Sequence, residues 1–209
     1  MALSLRTGSY GEYWGNDYNS SNALNQSQME VNATYLYNAL TSRGWSINAI
    51  SGILGNMQAE STINPGRWQS DRVGGDATAH GYGLVHGLVQ WTPYTNYTNW
   101  AISENLDPSE MDSNIARIDY ELLNNLQWIP TQEYNFSFSD FTTSTETPEY
   151  LASAFLKNYE RAGVEVEQQR RTNARNWFEF LGGITPTDNK KHKFKWVLYA
   201  NKLRNKPYF

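Results

Sequence analysis

Residues 46–66 read SINAISGILGNMQAESTINPG, and this stretch decides the fold. Ile47, Ile50, Ile53, Leu54 and Met57 recur at helical spacing and form one apolar stripe. The helix starts from Ser46, and Asn64-Pro65-Gly66 must end it, because proline has no amide donor and clashes with the preceding turn. Ala49, Gly52, Gly55 and Ala59 are small. Neighbouring backbones can therefore approach closely, despite the helix propensity that two glycines lose. Such a helix is built to be buried.

Glu60 continues the same stripe, three residues after Met57 and seven after Ile53. A carboxylate in that position is partly desolvated, and it sits near the negative end of the helix dipole. Both effects disfavour its charged form, which is what a general acid requires. The spacing describes equally well a helix-terminal glutamate whose side chain reaches solvent.

Outward from this helix, residues 1–26 are rich in Gly, Asn, Ser and Tyr and show no periodicity, so they read as an N-terminal arm. A helix opens at Ser27, with Glu30 three residues later in a capping-box arrangement. Val31, Tyr35, Leu36, Ala39 and Leu40 carry its apolar face, and Gly44 stops it. From Arg67 to Trp91 glycines mark a turn-rich wing, in which LVHGLVQW could form a small hairpin. A third helix is expected from Ser109, using Ile115, Ile118 and Leu122. A fourth is expected from Thr147, with Pro148 at its first position, using Leu151, Phe155, Leu156 and Tyr159. A fifth runs from about Glu165 to Leu181 and ends at Gly182-Gly183. The architecture is mostly α, a helical body with a small β or loop wing, and a polymer could lie in a cleft between them.

The bulk numbers exclude several classes. There is no cysteine among the 209 residues, which removes disulfides and thiolate chemistry. His80, His86 and His192 make no zinc spacing, so neither a metal nor a peptide-bond hydrolase is expected. No apolar run is long enough for a membrane span, and the residues after Met1 hold no apolar run of the length a signal peptide needs, so none is expected. Aromatic residues are 14% of the chain, a high share; most of them are expected to pack in the core, and flat rings lining a groove are also what sugars stack on. Charge is divided unevenly. Residues 1–184 hold ten Lys and Arg against twenty Asp and Glu, whereas residues 185–209 hold seven against Asp188 alone. The chain therefore reads as an arm (1–26), a catalytic domain (27–184) and a basic C-terminal extension (185–209). The acidic body argues against nucleic acid as the partner of that extension.

Three ordered motifs carry a resemblance: GNMQAESTINPGRW at 55–68, GLVQWTP at 87–93 and AFLKNYER at 154–161. Together they resemble the phage tail-associated lysozyme family, glycan-cleaving domains carried by phage particles and related to lysozymes and lytic transglycosylases. The resemblance covers roughly residues 27–183. It implies a lysozyme-like fold and cleavage of the β-1,4 glycan backbone of bacterial peptidoglycan, with no cofactor. It further implies a place at the virion tail tip, where the enzyme acts on the host wall during genome entry. By motif, Glu60 falls on the catalytic acid, Gln90 and Trp91 on groove-lining positions, and Tyr159 and Glu160 on the later Tyr-Glu-Arg motif. The sequence departs from the family after Arg161, where Ala162-Gly163 stand in place of proline. GLV also occurs twice, so a shifted register would exchange Gly83 for Gly87.

The residues themselves leave alternatives open. Gln90 can donate and accept at once, which suits an acetamido sugar, and Trp91 could stack on a sugar face, yet each could be structural. Tyr159 lies on an apolar stripe and reads equally as core, while Glu160 and Arg161 could be a local ion pair. A second carboxylate would come from Asp71 or Asp76 in the wing, unless the reaction is a transglycosylation that needs one acid/base alone. The competing reading of the whole chain is a non-catalytic tail protein of the same fold that binds the wall. Other virion tail proteins are the expected partners of the basic extension.

Overall fold

In a computed structural model of the protein, residues 3–18, 20–68, 85–161 and 166–184 are described. They contain two short strands, β1 (Ser4–Gly8) and β2 (Gly11–Gly15), and seven α-helices. The helices are α1 (Gln26–Thr41), α2 (Ile47–Ser61), α3 (Thr95–Ser103), α4 (Met111–Leu123), α5 (Phe138–Thr143), α6 (Pro148–Phe155) and α7 (Glu167–Gly182). A π-helical segment, Leu156–Glu160, follows α6 directly. The mostly α expectation holds. The chain forms two compact units, one of Met1–Tyr35 with Met57–Arg117 and the other of Leu36–Asn56 with Ile118–Phe209.

In the first unit the N-terminal residues, which show no periodicity in the sequence, form a hairpin. β1 and β2 pair antiparallel, from Ser4 opposite Gly15 to Gly8 opposite Gly11. A two-stranded hairpin is marginal alone, and this one is held from outside. Asn32 of α1 accepts from the Trp14 amide and donates to the Trp14 carbonyl at 2.6 and 2.8 Å, standing in for a third strand. Arg6 forms ion pairs with Asp17 and Glu110 at 2.6 and 2.8 Å. Tyr13 is fully buried against the edge of Tyr35. The alternation was invisible in the sequence because one aromatic carries most of the inward face.

The cap of α1 also differs from expectation. Asn25 Oδ1 accepts from the Gln28 amide and Gln28 Oε1 accepts from the Asn25 amide, both at 3.0 Å. The capping box is therefore Asn25 with Gln28 and not Ser27 with Glu30, since asparagine caps as well as serine. Helix α3 was not anticipated. Its sequence TNYTNWAIS has weak helix propensity, and burial of Tyr97, Thr98 and Ala101 holds it instead. The expected hairpin in LVHGLVQW is a turn at 87–90 flanked by isolated bridges, Trp68 with His86 and His86 with Trp91.

The second unit is built on the close approaches that the small residues of α2 allow. A Cβ added at Gly55 would lie 2.5 Å from the Arg170 carbonyl and 2.8 Å from the Ala174 nitrogen of α7. Ser46 caps α2, its hydroxyl accepting from the Ala49 amide at 3.0 Å. Helix α6 begins as expected, with Thr147 accepting from Tyr150 and Pro148 in the first turn. It gives way to the π-helical segment at Leu156, so Tyr159 does not continue an α-helical stripe. Short α5, with Ser137 and Asp140 forming a capping box, was not expected either. Its Phe138 and Phe141 pack with Trp128, Phe155 and Trp45 into an aromatic core. Arg43 and fully buried Asp119 form an ion pair at 2.8 Å. No helix among the described residues is long and apolar enough to cross a membrane.

Candidate active site

Glu60 occupies the last turn of α2, in the first unit. The stripe that leads to it, Ile53 and Met57, is fully buried, and Glu60 itself is half-buried at its end. Its position thus combines an apolar support with access from outside.

The residues after it show why the Glu-Ser-x-x-Asn-Pro motif has its spacing. The buried Ser61 hydroxyl donates to the carbonyl of Leu88 at 2.8 Å and lies 3.0 Å from the Met57 carbonyl. Thr62 and Ile63 both take positive φ, 54° and 55°, which turns the chain sharply out of the helix. That left-handed backbone costs β-branched residues energy, and it is held by several bonds. Asn32 donates to the Ile63 carbonyl at 2.8 Å, and the Leu24 amide donates to the Thr62 hydroxyl at 2.9 Å. Buried Asn64 donates to the Asn22 carbonyl and accepts from the Gly66 amide. Ser61 and Asn64 are the clamps that fix where α2 ends, and hence where Glu60 stands.

The Leu88 carbonyl belongs to the turn carrying Gln90 and Trp91, so the first two motifs are neighbours. Gly87 has φ +90°, and a Cβ there would lie 2.7 Å from Asn114 Oδ1 and 2.8 Å from the Trp91 ring. Asn114 Oδ1 in turn accepts from the Leu88 amide at 2.9 Å. Gln90, also at positive φ, donates through its side-chain amide to the carbonyls of Gly87 and Arg67, at 2.9 and 3.1 Å. Its nitrogen is committed to holding the turn. Trp91 is only 4% exposed and stacks on Tyr97 at 4.3 Å between centroids.

Beside this turn lies His86, fully buried among the rings of Trp68, Tyr18 and Tyr97. Neither of its ring nitrogens has a hydrogen-bond partner among the described residues. Burial pushes the imidazole down to about 3, against a weaker upward pull from Asp107. It is therefore neutral wherever the protein is folded near neutrality.

The third motif belongs to the second unit. Tyr159 is 1% exposed, donates to the buried Glu121 carboxylate and stacks on Phe155. Glu160 forms its ion pair with Arg170 of α7, at 2.6 Å, and not with the adjacent Arg161. Arg170 also donates to Asn56 Oδ1 at 3.1 Å. Arg161 takes φ 57° and donates to the Gln127 carbonyl instead. Asp71, Asp76, His80, Gly83, Ala162-Gly163 and residues 185–209 lie outside the described residues. Sequence reasoning read Asn64 only as part of the helix stop, and it missed Asn32 and Asn114, whose one signal was a polar residue at a buried register position.

Residues 31–181 match the family model for phage tail lysozyme. Morphogenesis protein 1 of Bacillus phage B103 is 46% identical over 166 residues, which is 79% of this chain and 43% of that protein. The chain spans less than half the length of this relative. With a family model covering most of its length and a relative this similar, the chain belongs to the phage tail lysozyme family.

Proposed function

We propose that this protein cleaves the β-1,4 glycan backbone of bacterial peptidoglycan, with Glu60 as the general acid. The observation that carries the reading is the placement of Glu60. It is a half-buried carboxylate at the end of a buried apolar stripe, fixed by Ser61 against the turn that carries Gln90. In this reading Glu60 protonates the departing glycosidic oxygen. Gln90 and Trp91 shape the wall beside it, Gln90 through its turn bonds and Trp91 through its stack on Tyr97. Tyr159 and Glu160 serve by holding their own segment in the second unit, through Glu121 and Arg170. A hydrolase of the muramidase type would need a second carboxylate, with Asp71 and Asp76 as candidates. A lytic transglycosylase would close an anhydro ring with Glu60 alone.

The family supports a tail-tip location on the virion, and the basic residues 185–209 would dock the protein to other tail proteins or to the wall. One observation favours a second reading: the relative from phage B103 is named for morphogenesis and not for an activity. A structural or wall-binding tail component of the same fold would fit that name.

Glu60→Gln removes one dissociable proton at nearly constant shape. Wall lysis should fall by about 10²–10⁴-fold or more, the range of general acid–base catalysis. Lysis within threefold of wild type in the folded variant would favour the structural reading. Mass spectrometry of the released fragments separates the two chemistries, with anhydro ends for a transglycosylase and reducing ends for a hydrolase.

A further inference from the structure

The second unit holds a cavity of about 520 Å³ lined by Thr131, Gln132, Glu133 and Lys157. That volume is within the range of small-ligand sites, roughly 300–1,000 Å³. Thr131, Gln132 and Glu133 lie outside the three family motifs, and Lys157 lies within the third, at 154–161. The rim is rigid. Asn158, buried in the π-helical segment, accepts through Oδ1 from both the amide and the hydroxyl of Thr131, at 3.0 and 2.9 Å. Its side-chain nitrogen donates to the Tyr134 carbonyl at 2.7 Å, and its own carbonyl accepts from the Ile129 amide at 2.8 Å. Four bonds to one side chain and its backbone thus hold the whole 129–134 loop. A π-helical turn is a frequent mark of a functional position, because it displaces side chains from the regular ladder. Here it places Asn158 under the loop and Lys157 on the cavity.

The lining has the chemistry of a charged, amide-rich ligand. Lys157 and Glu133 present opposite charges, and Gln132 offers both a donor pair and an acceptor. The Lys157 ammonium lies 3.4 Å from Glu167, longer than a tight charge-assisted bond, and its other protons remain for a second acceptor. The described lining residues are polar or charged, and none of them is aromatic. We propose that this cavity binds the peptide portion of the wall polymer, a short peptide with a free carboxylate at Lys157 and a free ammonium at Glu133. The inference rests on the wall-cleaving function above and adds to it recognition of the stem peptides that branch from the glycan.

The test uses the full chain and a sugar-free stem pentapeptide, L-Ala-γ-D-Glu-L-Lys-D-Ala-D-Ala, followed by NMR and calorimetry. In the wild type the peptide should shift the backbone amides of Gln132, Glu133 and Lys157, and tetra-N-acetylchitotetraose should not. Glu133→Gln alters an exposed side chain and Lys157→Gln a half-buried one, and each should weaken peptide binding by roughly fivefold, the scale of a solvent-accessible charge contact. Acetylating the peptide's lysine amine should reproduce the loss seen in Glu133→Gln. Three results would overturn the proposal: shifts that cluster elsewhere, no saturation by the peptide, or unchanged affinity in both variants. Wild-type cleavage of peptide-free glycan, measured in parallel, tests the enzymatic reading separately.

Discussion

The Ser61 hydroxyl donates to the Leu88 carbonyl at 2.8 Å, with both groups buried. Through this bond the residue after Glu60 is tied to the turn two residues before Gln90. Ser61→Ala would leave the Leu88 carbonyl buried without that donor. A loss of about 1–3 kcal/mol is expected in urea denaturation. Wall lysis should fall more than stability accounts for, because Glu60 loses its clamp. Unchanged kcat in a destabilised Ser61→Ala protein would show that the bond holds the fold and does not position the carboxylate.

Gly55 makes a complementary case on the opposite side of α2. Alanine there gains about 1 kcal/mol of intrinsic helix propensity. The new methyl would stand 2.5 Å from a backbone carbonyl of α7, which cannot rotate away. Overpacking of this kind costs about 1–3 kcal/mol, so Gly55→Ala should be net destabilising. A raised melting temperature in that variant would mean that α7 yields easily.

His86 predicts acid sensitivity. Its folded value is lowered to about 3 from 6.5 by burial, so the unfolded chain binds the extra proton between these values. The stability contribution is present above 6.5 and is lost as pH falls toward 3. At 1.36 kcal/mol per unit the loss from pH 7 to pH 4 is at most about 3 kcal/mol. His86→Leu should shallow the acid limb of a stability–pH curve, and an identical limb in the variant would count against a buried neutral imidazole.

Asp119 acts with the opposite sign. Burial raises its carboxyl to about 6 from 3.8, against the opposing pull of Arg43. The folded state therefore binds more protons between these values, and the contribution present below 3.8 is lost as pH rises through 6. Arg43→Met should cost about 3–5 kcal/mol near neutrality, where it strands a buried carboxylate. The cost should be smaller at pH 5, where Asp119 takes up a proton. Because His86 titrates in both proteins, the difference between them isolates Asp119. An equal cost at both pH values would contradict this account.

Helix α2 was legible in residues 46–66 because its signals are local: an apolar stripe of helical period, small residues, a terminal Asn-Pro-Gly. The same is true of Thr147-Pro148 at the start of α6, and of Glu60 at the end of its stripe. The N-terminal hairpin was not legible, since its stability comes from Asn32, Tyr35 and Glu110, partners that no window of neighbouring residues contains. Helix α3 likewise depends on Tyr97 stacking against Trp91 and overrides a sequence of poor propensity. Gln90 and Trp91 in the first unit, and Tyr159 in the second, show the same limit. Composition marks each as able to touch a sugar. Burial and hydrogen bonding are properties of the folded chain, and they turn Gln90 toward its own turn, Trp91 onto Tyr97 and Tyr159 toward Glu121. A residue's chemistry is written in its side chain, but which of its atoms remain available for a substrate depends on neighbours that only the fold brings together.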